Sequence, residues 1–481
     1  MSKVTFPSGV EVAETDDLPQ ENCGVVGVYA PGEDVARIAF FGLFALQHRG
    51  QESAGISVSD GETLRVNTSM GLVAQAFREQ DLERLTGHIA IGHTRYSTAG
   101  SSILCNAQPF LVCGPYGELA LGHNGNVVNA VSLRKELEEW GCQFSATTDS
   151  EIIAQLLANA PGRGWAERVQ YLMRRVQGAY SLVVMTKDSL IAIRDPLGVR
   201  PLCVGKMDEG WIVASESCAL DHLGAELIRD IEPGEAIIID EHGMNTLYRG
   251  SKRKMASCIF EYIYFARADS IIDGKLTYSL RQAMGAELAR EYPVDADVVI
   301  GVPDSATAAA VGYAQESGIP YSEGLLKNRY VGRTFIEPDQ RVRDLGVKLK
   351  FNTLPTVLSG KRVIIVDDSI VRGTTTPHVV KLVQKAGATE VHLRVCAPPI
   401  RHPCHLGVDM ASYDELIAAN KTVEEIREFV GSDSLGYLSV EGLLNAVGGD
   451  QSGYCTGCFT GNHPIPVQLQ MNKLALEVST S

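Results

Sequence analysis

Residues 363–376 read VIIVDDSIVRGTTT. Four apolar residues make a buried strand, two acids follow at its end, and a loop of small residues opens a helix. Asp367 and Asp368 then stand at a carboxyl strand end, where open α/β sheets bind ligands. Gly373 lets backbone come close to a ligand, and Thr374, Thr375 and Thr376 add hydroxyls to the N–H donors of a helix start. The pattern predicts an anion cradle. Paired acids suit sugar hydroxyls, directly or through hydrated Mg²⁺. No Gly-Lys-Ser/Thr follows, so the stretch is not a P-loop. The plain alternative is a buried strand ending in an ordinary N-cap turn.

Outward from this stretch, strands alternate with helices: ADVVIGVPDS, TAAAVGYAQESG, KRVIIVDDSIV, TPHVVKLVQKAG, EVHLRVCAPP. This is βαβ material with a buried parallel sheet. Before about residue 250 the pattern differs. CGVVGVYA, HIAIGHTRYS, ELALGHNGNVVN, YSLVVMT, LIAIRDPLG, GWIVASES and EAIIIDEHG read as strands, and IAFFGLFALQHRG, SLRKELEEWG and DSEIIAQLLANA as helices outside them. That grammar predicts a mixed or antiparallel sheet architecture. The basic linker RGSKRKM marks the change, and 481 residues suit two domains. The first 22 residues, with one Lys against five acids, read as a loose leader.

Composition narrows the function. The formal charge of −15 argues against a nucleic-acid partner. No apolar run reaches membrane-spanning length, and the start lacks a signal peptide, so a cytoplasmic protein is expected. Within this acidic chain, residues 327–350 hold seven basic and three acidic residues. They read either as a solvated charged face or as a lid closing on a polyanion. Eleven cysteines without an export signal favour catalytic or metal-bound thiols over disulfides. Cys23 opens the first strand. Either it is a buried structural thiol, or, once exposed as residue one, it is a nucleophile with its own α-amine as base. Cys455 and Cys458 form a CxxC clip that suits half a zinc site, a redox pair or coincidence. Cys258, Cys396 and Cys404 are all candidates to complete a tetrathiolate.

The 363–376 stretch resembles the 5-phosphoribosyl-1-diphosphate (PRPP) loop of type I phosphoribosyltransferases. LQHRGQESAG (46–55), GHTRYSTAG (92–100) and GHNGNVVN (122–129) resemble the class II glutamine amidotransferase domain, an N-terminal-nucleophile (Ntn) fold. Together with the basic 327–350 segment they are similar to the amidophosphoribosyltransferases, in the branch with a propeptide and a 4Fe–4S cluster. The resemblance implies an Ntn αββα sandwich followed by an α/β phosphoribosyltransferase domain with a parallel sheet. The expected division is a propeptide at 1–22, a glutaminase at 23–252 and a transferase at 253–481.

It also implies roles. Cys23 attacks the glutamine amide, with Asn124 and the Gly125 N–H as oxyanion hole. Arg95 pairs with the glutamine carboxylate and Asp149 with its ammonium, while Arg49, Gly50 and Thr98 complete the pocket. Asp367 and Asp368 meet ribose and Mg²⁺, with Ser305 near the metal and diphosphate. Gly373, Thr374, Thr375 and Thr376 hold the 5′-phosphate, Lys327 and Arg329 meet phosphates from the lid, and Ser369, Arg372 and Lys348 also bind PRPP. Cys258, Cys404, Cys455 and Cys458 hold the cluster. His405-Leu406 stands where the family usually has aromatics, and Ala268 where it usually has Pro. The implied enzyme converts glutamine, PRPP and water into 5-phosphoribosylamine, diphosphate and glutamate, the first step of purine synthesis. Purine nucleotides as inhibitors and a homotetramer come with it. Three alternatives remain at this level: another class II amidotransferase, a non-catalytic PRPP-sensing regulator, and an Fe–S electron carrier.

Overall fold

The computed structural model describes residues 23–97, 100–250, 254–328, 351–410, 412–448, 453–465 and 476–477. The leader at 1–22, Thr98, Arg329, Lys348 and most of the expected lid lie outside the described residues.

The first half is a sandwich of two antiparallel sheets. One has seven strands, and Gly24–Tyr29 lies inside it between Trp211–Ala214 and Ile89–Arg95. The other has six, with Gly117–Val127 paired to Gly178–Met185. Val25, Ile89 and Ile91 from the first sheet meet Ala120, Val183 and Met185 from the second. Strand alternation turns the opposite faces outward, and each needs its own cover. Helix Val35–Ala45 packs Val35, Ala39 and Leu43 on the first sheet. Helices Ala130–Glu139, Asp149–Ala158 and Trp165–Arg175 cover the second. The layers therefore run helix, sheet, sheet, helix, as the resemblance implied. The expected antiparallel character holds in every pairing of both sheets.

The last sandwich strand, Gly243–Arg249, gives way to a different architecture. Val298–Gly301, Arg362–Asp367, Glu390–Val395 and Ser434–Tyr437 form a parallel sheet in that order. Helices Thr277–Glu291 and Thr307–Ser317 cover one face. Thr376–Lys385 and Val423–Val430 cover the other. Burial on both faces explains the continuous apolar runs. After Val298–Gly301 the chain returns through Tyr321 on one side of that strand, whereas Arg362–Asp367 lies on its other side. Strand order thus reverses between Val298–Gly301 and Arg362–Asp367, which opens a crevice at their carboxyl ends. Strands Leu325–Lys327 and Phe351–Thr353 pair antiparallel.

Candidate active sites

Two sites are built on these frames. In the sandwich, Cys23 directly precedes a central strand and is buried. Its thiol donates to the Tyr96 carbonyl at 3.3 Å. Burial, with smaller contributions from Glu52 and Asp149 against the opposing Tyr96 hydrogen bond and Arg95, pushes the thiol up to about 11. It is therefore protonated at neutral pH, and attack requires a base. Arg95 ends the neighbouring strand, donates to the Ser101 carbonyl at 3.1 Å and lies 3.6 Å from Glu52. Asp149 opens a helix, and its carboxylate accepts from the Val127 N–H at 2.9 Å.

Asn124 carries the most specific signal. Its side chain is buried, and neither its amide nitrogen nor its amide oxygen has a hydrogen-bond partner. Leaving both atoms unmatched costs about 1–3 kcal/mol, so such a group in a folded chain points to an absent ligand. Gly125 beside it has φ +153°, and a Cβ there would lie 2.0 Å from the Ala179 carbonyl oxygen. Gly50 is required in the same way: a Cβ would lie 2.6 Å from the Thr94 carbonyl carbon. Arg95 and Asp149 lie within electrostatic range of the Cys23 thiol, and Asp149 is bonded to the Val127 N–H on the strand that carries Asn124 and Gly125. Arg49 differs from the expectation. Its guanidinium is fully buried and donates to Glu216, to Glu261 at 2.9 and 3.1 Å and to the Cys23 carbonyl at 3.2 Å. Those bonds turn it toward the other half of the chain, leaving its backbone near the pocket.

The second site occupies the crevice of the parallel sheet. Asp367 and Asp368 are buried at a strand end. The Asp368 carboxylate accepts from the Ser305 hydroxyl and from Ser369 at 2.6 Å. Burial raises Asp368, against the hydroxyl bonds and the Arg281 charge, so its ionised form lacks full compensation. Ser305 follows a cis peptide at Pro303-Asp304, and Lys327 donates to Asp304 at 3.0 Å. Arg372 donates to Glu415 at 2.7 Å. Gly373, Thr374, Thr375 and Thr376 lead into helix Thr376–Lys385, as the motif predicted.

Four cysteines converge near the seam between the halves. Cys258 and Cys455 are directly opposite in a short parallel pairing of Ser257–Cys258 with Tyr454–Cys455. Cys404 and Cys458 lie within electrostatic range of both. Burial pushes Cys258 up to about 11 and Cys455 up to about 12. No set of three or more His, Cys, Asp or Glu among the described residues is arranged around a single ion.

A family model for the glutamine amidotransferase domain matches residues 93–222, and one for the phosphoribosyl transferase domain matches 269–427. An amidophosphoribosyltransferase from Synechocystis sp. is 51% identical, over 97% of this chain and 96% of its own. One from Archaeoglobus fulgidus is 52% identical, over 92% and 98%. The chain belongs to the amidophosphoribosyltransferases. A solved glutamine PRPP amidotransferase from B. subtilis, complexed with ADP and GMP, superposes with a TM-score of 0.88 at 44% identity, covering 94% of this chain and 99% of that one.

An amidophosphoribosyltransferase joins two chemistries in one chain, and residues that motif reading passed over lie where they meet. Tyr96 supplies the thiol's acceptor, and Glu52 holds Arg95 and the Ser97 hydroxyl. Glu216, Arg200 and Glu261 form a buried ion network at the seam. The available signal for Glu261 was an acid inside the apolar run CIFEYIYF. The other residues carry no local signature, because their partners are remote in sequence.

Proposed function

We propose that the chain transfers the amide nitrogen of glutamine to C1 of PRPP, releasing glutamate and diphosphate and forming 5-phosphoribosylamine. The observation that carries the glutaminase half is the unpartnered buried amide of Asn124. The thiol adds to the glutamine carbonyl. Asn124 Nδ2 and the Gly125 N–H receive the developing oxyanion. The C–N bond breaks, and the thiol's proton leaves on ammonia through the Cys23 α-amine. Water then hydrolyses the thioester, restoring the thiol and giving glutamate. Arg95 and Asp149 hold the substrate's carboxylate and ammonium. This chemistry needs a free amine on Cys23, so residues 1–22 leave and the mature chain begins there. The halves divide at 23–252 and 253–481.

In the transferase half, the ammonia lone pair attacks C1 as the C1–O bond to diphosphate breaks. Asp367 and Asp368 face the ribose, and the 369–376 loop faces the 5′-phosphate. Lys327, Arg329 and Lys348 meet the phosphates. The buried carboxylates with the Ser305 hydroxyl are hard oxygen donors that fit Mg²⁺, which would supply charge neutralisation to the departing diphosphate. The four seam cysteines fit a 4Fe–4S cluster, because four thiols drawn from remote segments are the donor set such a cluster takes. Held by Cys258, Cys404, Cys455 and Cys458, it would supply a structural cross-link between remote segments. Purine nucleotides as inhibitors at the phosphate cradle, a homotetramer and a cytoplasmic address belong to the same proposal.

Glutamine- and ammonia-dependent phosphoribosylamine formation, measured on wild type and Cys23→Ser, tests this reading. The variant should lose the first activity and keep the second. A folded variant that loses both, or an active wild-type enzyme whose mass includes Met1, would overturn it.

A further inference from the structure

The seam between the halves contains charges that the reaction itself does not use. Arg49 and Glu216 come from the sandwich, and Glu261 lies in the single helical turn Glu261–Phe265 three residues after Cys258. Arg200 follows the sandwich strand Leu190–Arg194. All four side chains are fully buried. Two cations and two anions balance, as a buried group of charges must. Glu261 is the hub. It takes both terminal nitrogens of Arg49 and, at 3.1 Å, one nitrogen of Arg200. Each arginine also reaches a backbone carbonyl, and Arg49 donates to the Glu216 carboxylate as well. Arg49 Nε donates to the Cys23 carbonyl at 3.2 Å, and Arg200 donates to the Leu406 carbonyl at 2.7 Å. The turn that carries Glu261 is itself clamped, since Arg281 donates to the carbonyls of Tyr262, Tyr264 and Ala266.

A carbonyl held from one side fixes the adjacent torsion of its residue. For Cys23 that torsion is ψ, which sets where the α-amine and the Cα–Cβ bond sit together relative to the carbonyl and the strand that follows. We propose that Glu261 is a positioning residue for the glutaminase reaction: by orienting Arg49 bidentately from the opposite half of the chain, it fixes the backbone of Cys23 for attack. Glu261 never touches glutamine. Its effect is on the fraction of bound substrate in attacking geometry, so kcat for glutamine should fall while glutamine KM holds. Misplacement of about 1 Å can cost about 100-fold in rate. The proposal rests on Cys23 being the nucleophile.

Glu261→Gln keeps the shape, but it removes one anion and turns an amide donor toward a guanidinium. We expect glutamine-dependent kcat to fall at least about tenfold, glutamine KM to stay within about twofold and ammonia-dependent kcat at saturating PRPP to stay within about twofold. Glu261→Asp, which restores the charge but not the reach, should be intermediate. Alkylation of Cys23 by iodoacetamide, compared across the three proteins, reports the nucleophile directly and should change in the same order. Parallel loss of both activities, or an unchanged glutamine-to-ammonia ratio in the folded variants, overturns the proposal. So does failure of both variants to fold, which would make Glu261 a folding residue. Glutamine turnover surviving in Cys23→Ser would instead remove the nucleophile assignment on which the proposal stands.

Discussion

At the scale of single residues, Asn124 and Cys23 are held at a cost to the resting protein. The Asn124 amide is buried without partners. Asn124→Ala removes that penalty, so its thermal midpoint should equal or exceed that of wild type, while glutamine kcat falls about 100- to 1,000-fold. A clear loss of stability would mean that Asn124 is bonded in the resting chain. Cys23 is costly in another way, because burial leads the causes that push its thiol up to about 11. Neutral thiol is the favoured form below that pH, so thiolate appears only as pH rises through it. In chain still carrying residue 22, alkylation of Cys23 should keep accelerating past pH 10. A plateau near the ordinary thiol value of 9.0 would contradict the burial.

At the scale of elements, the motifs that were legible in sequence are those whose geometry is local. The strand Arg362–Asp367, its acids and the loop into Thr376–Lys385 follow one another along the chain, so periodicity and small residues reveal them. The same holds for Gly24–Tyr29 and for helix Asp149–Ala158. Arg49 shows the limit. HRGQES places it beside the pocket, but its guanidinium direction depends on Glu216 and Glu261, 167 and 212 residues away. Glu216 also makes the seam sensitive to acid. Burial alone would raise its carboxyl, but the charges of His48 and Arg49 and hydrogen bonds from His48 and Ser270 outweigh this and hold it well below the ordinary 4.5. A depressed carboxyl contributes stability that is fully present above its unfolded value and lost as pH falls below it. Thermal midpoints should therefore drop as pH falls below 4.5, and Glu216→Gln should flatten that limb. At neutral pH the variant should be about 3–5 kcal/mol less stable, the cost of unpairing a buried charge. An unchanged acid limb would show that the network does not hold the seam.

At the scale of the whole molecule, the two halves share more than a linker. Arg194 donates to Asp273 at 2.8 Å and Asn126 to the His405 carbonyl at 3.0 Å, so transferase-half segments lie directly on the glutaminase strands. The second contact adjoins Cys404. Losing a cluster there should therefore loosen the seam. Oxygen exposure that bleaches the visible absorption of anaerobically purified protein, with iron and sulfide released in step, should lower the thermal midpoint. Bleaching with no change in stability would contradict a structural cluster. The seam was not legible in sequence, because it is made of single residues far apart in the chain.

The central claim is that one chain couples glutamine cleavage to PRPP. Glutamate release from glutamine, measured on processed protein with and without PRPP and Mg²⁺, tests it most directly. PRPP should stimulate the release, with one diphosphate formed per glutamate. Glutamate release that is indifferent to PRPP would contradict the account.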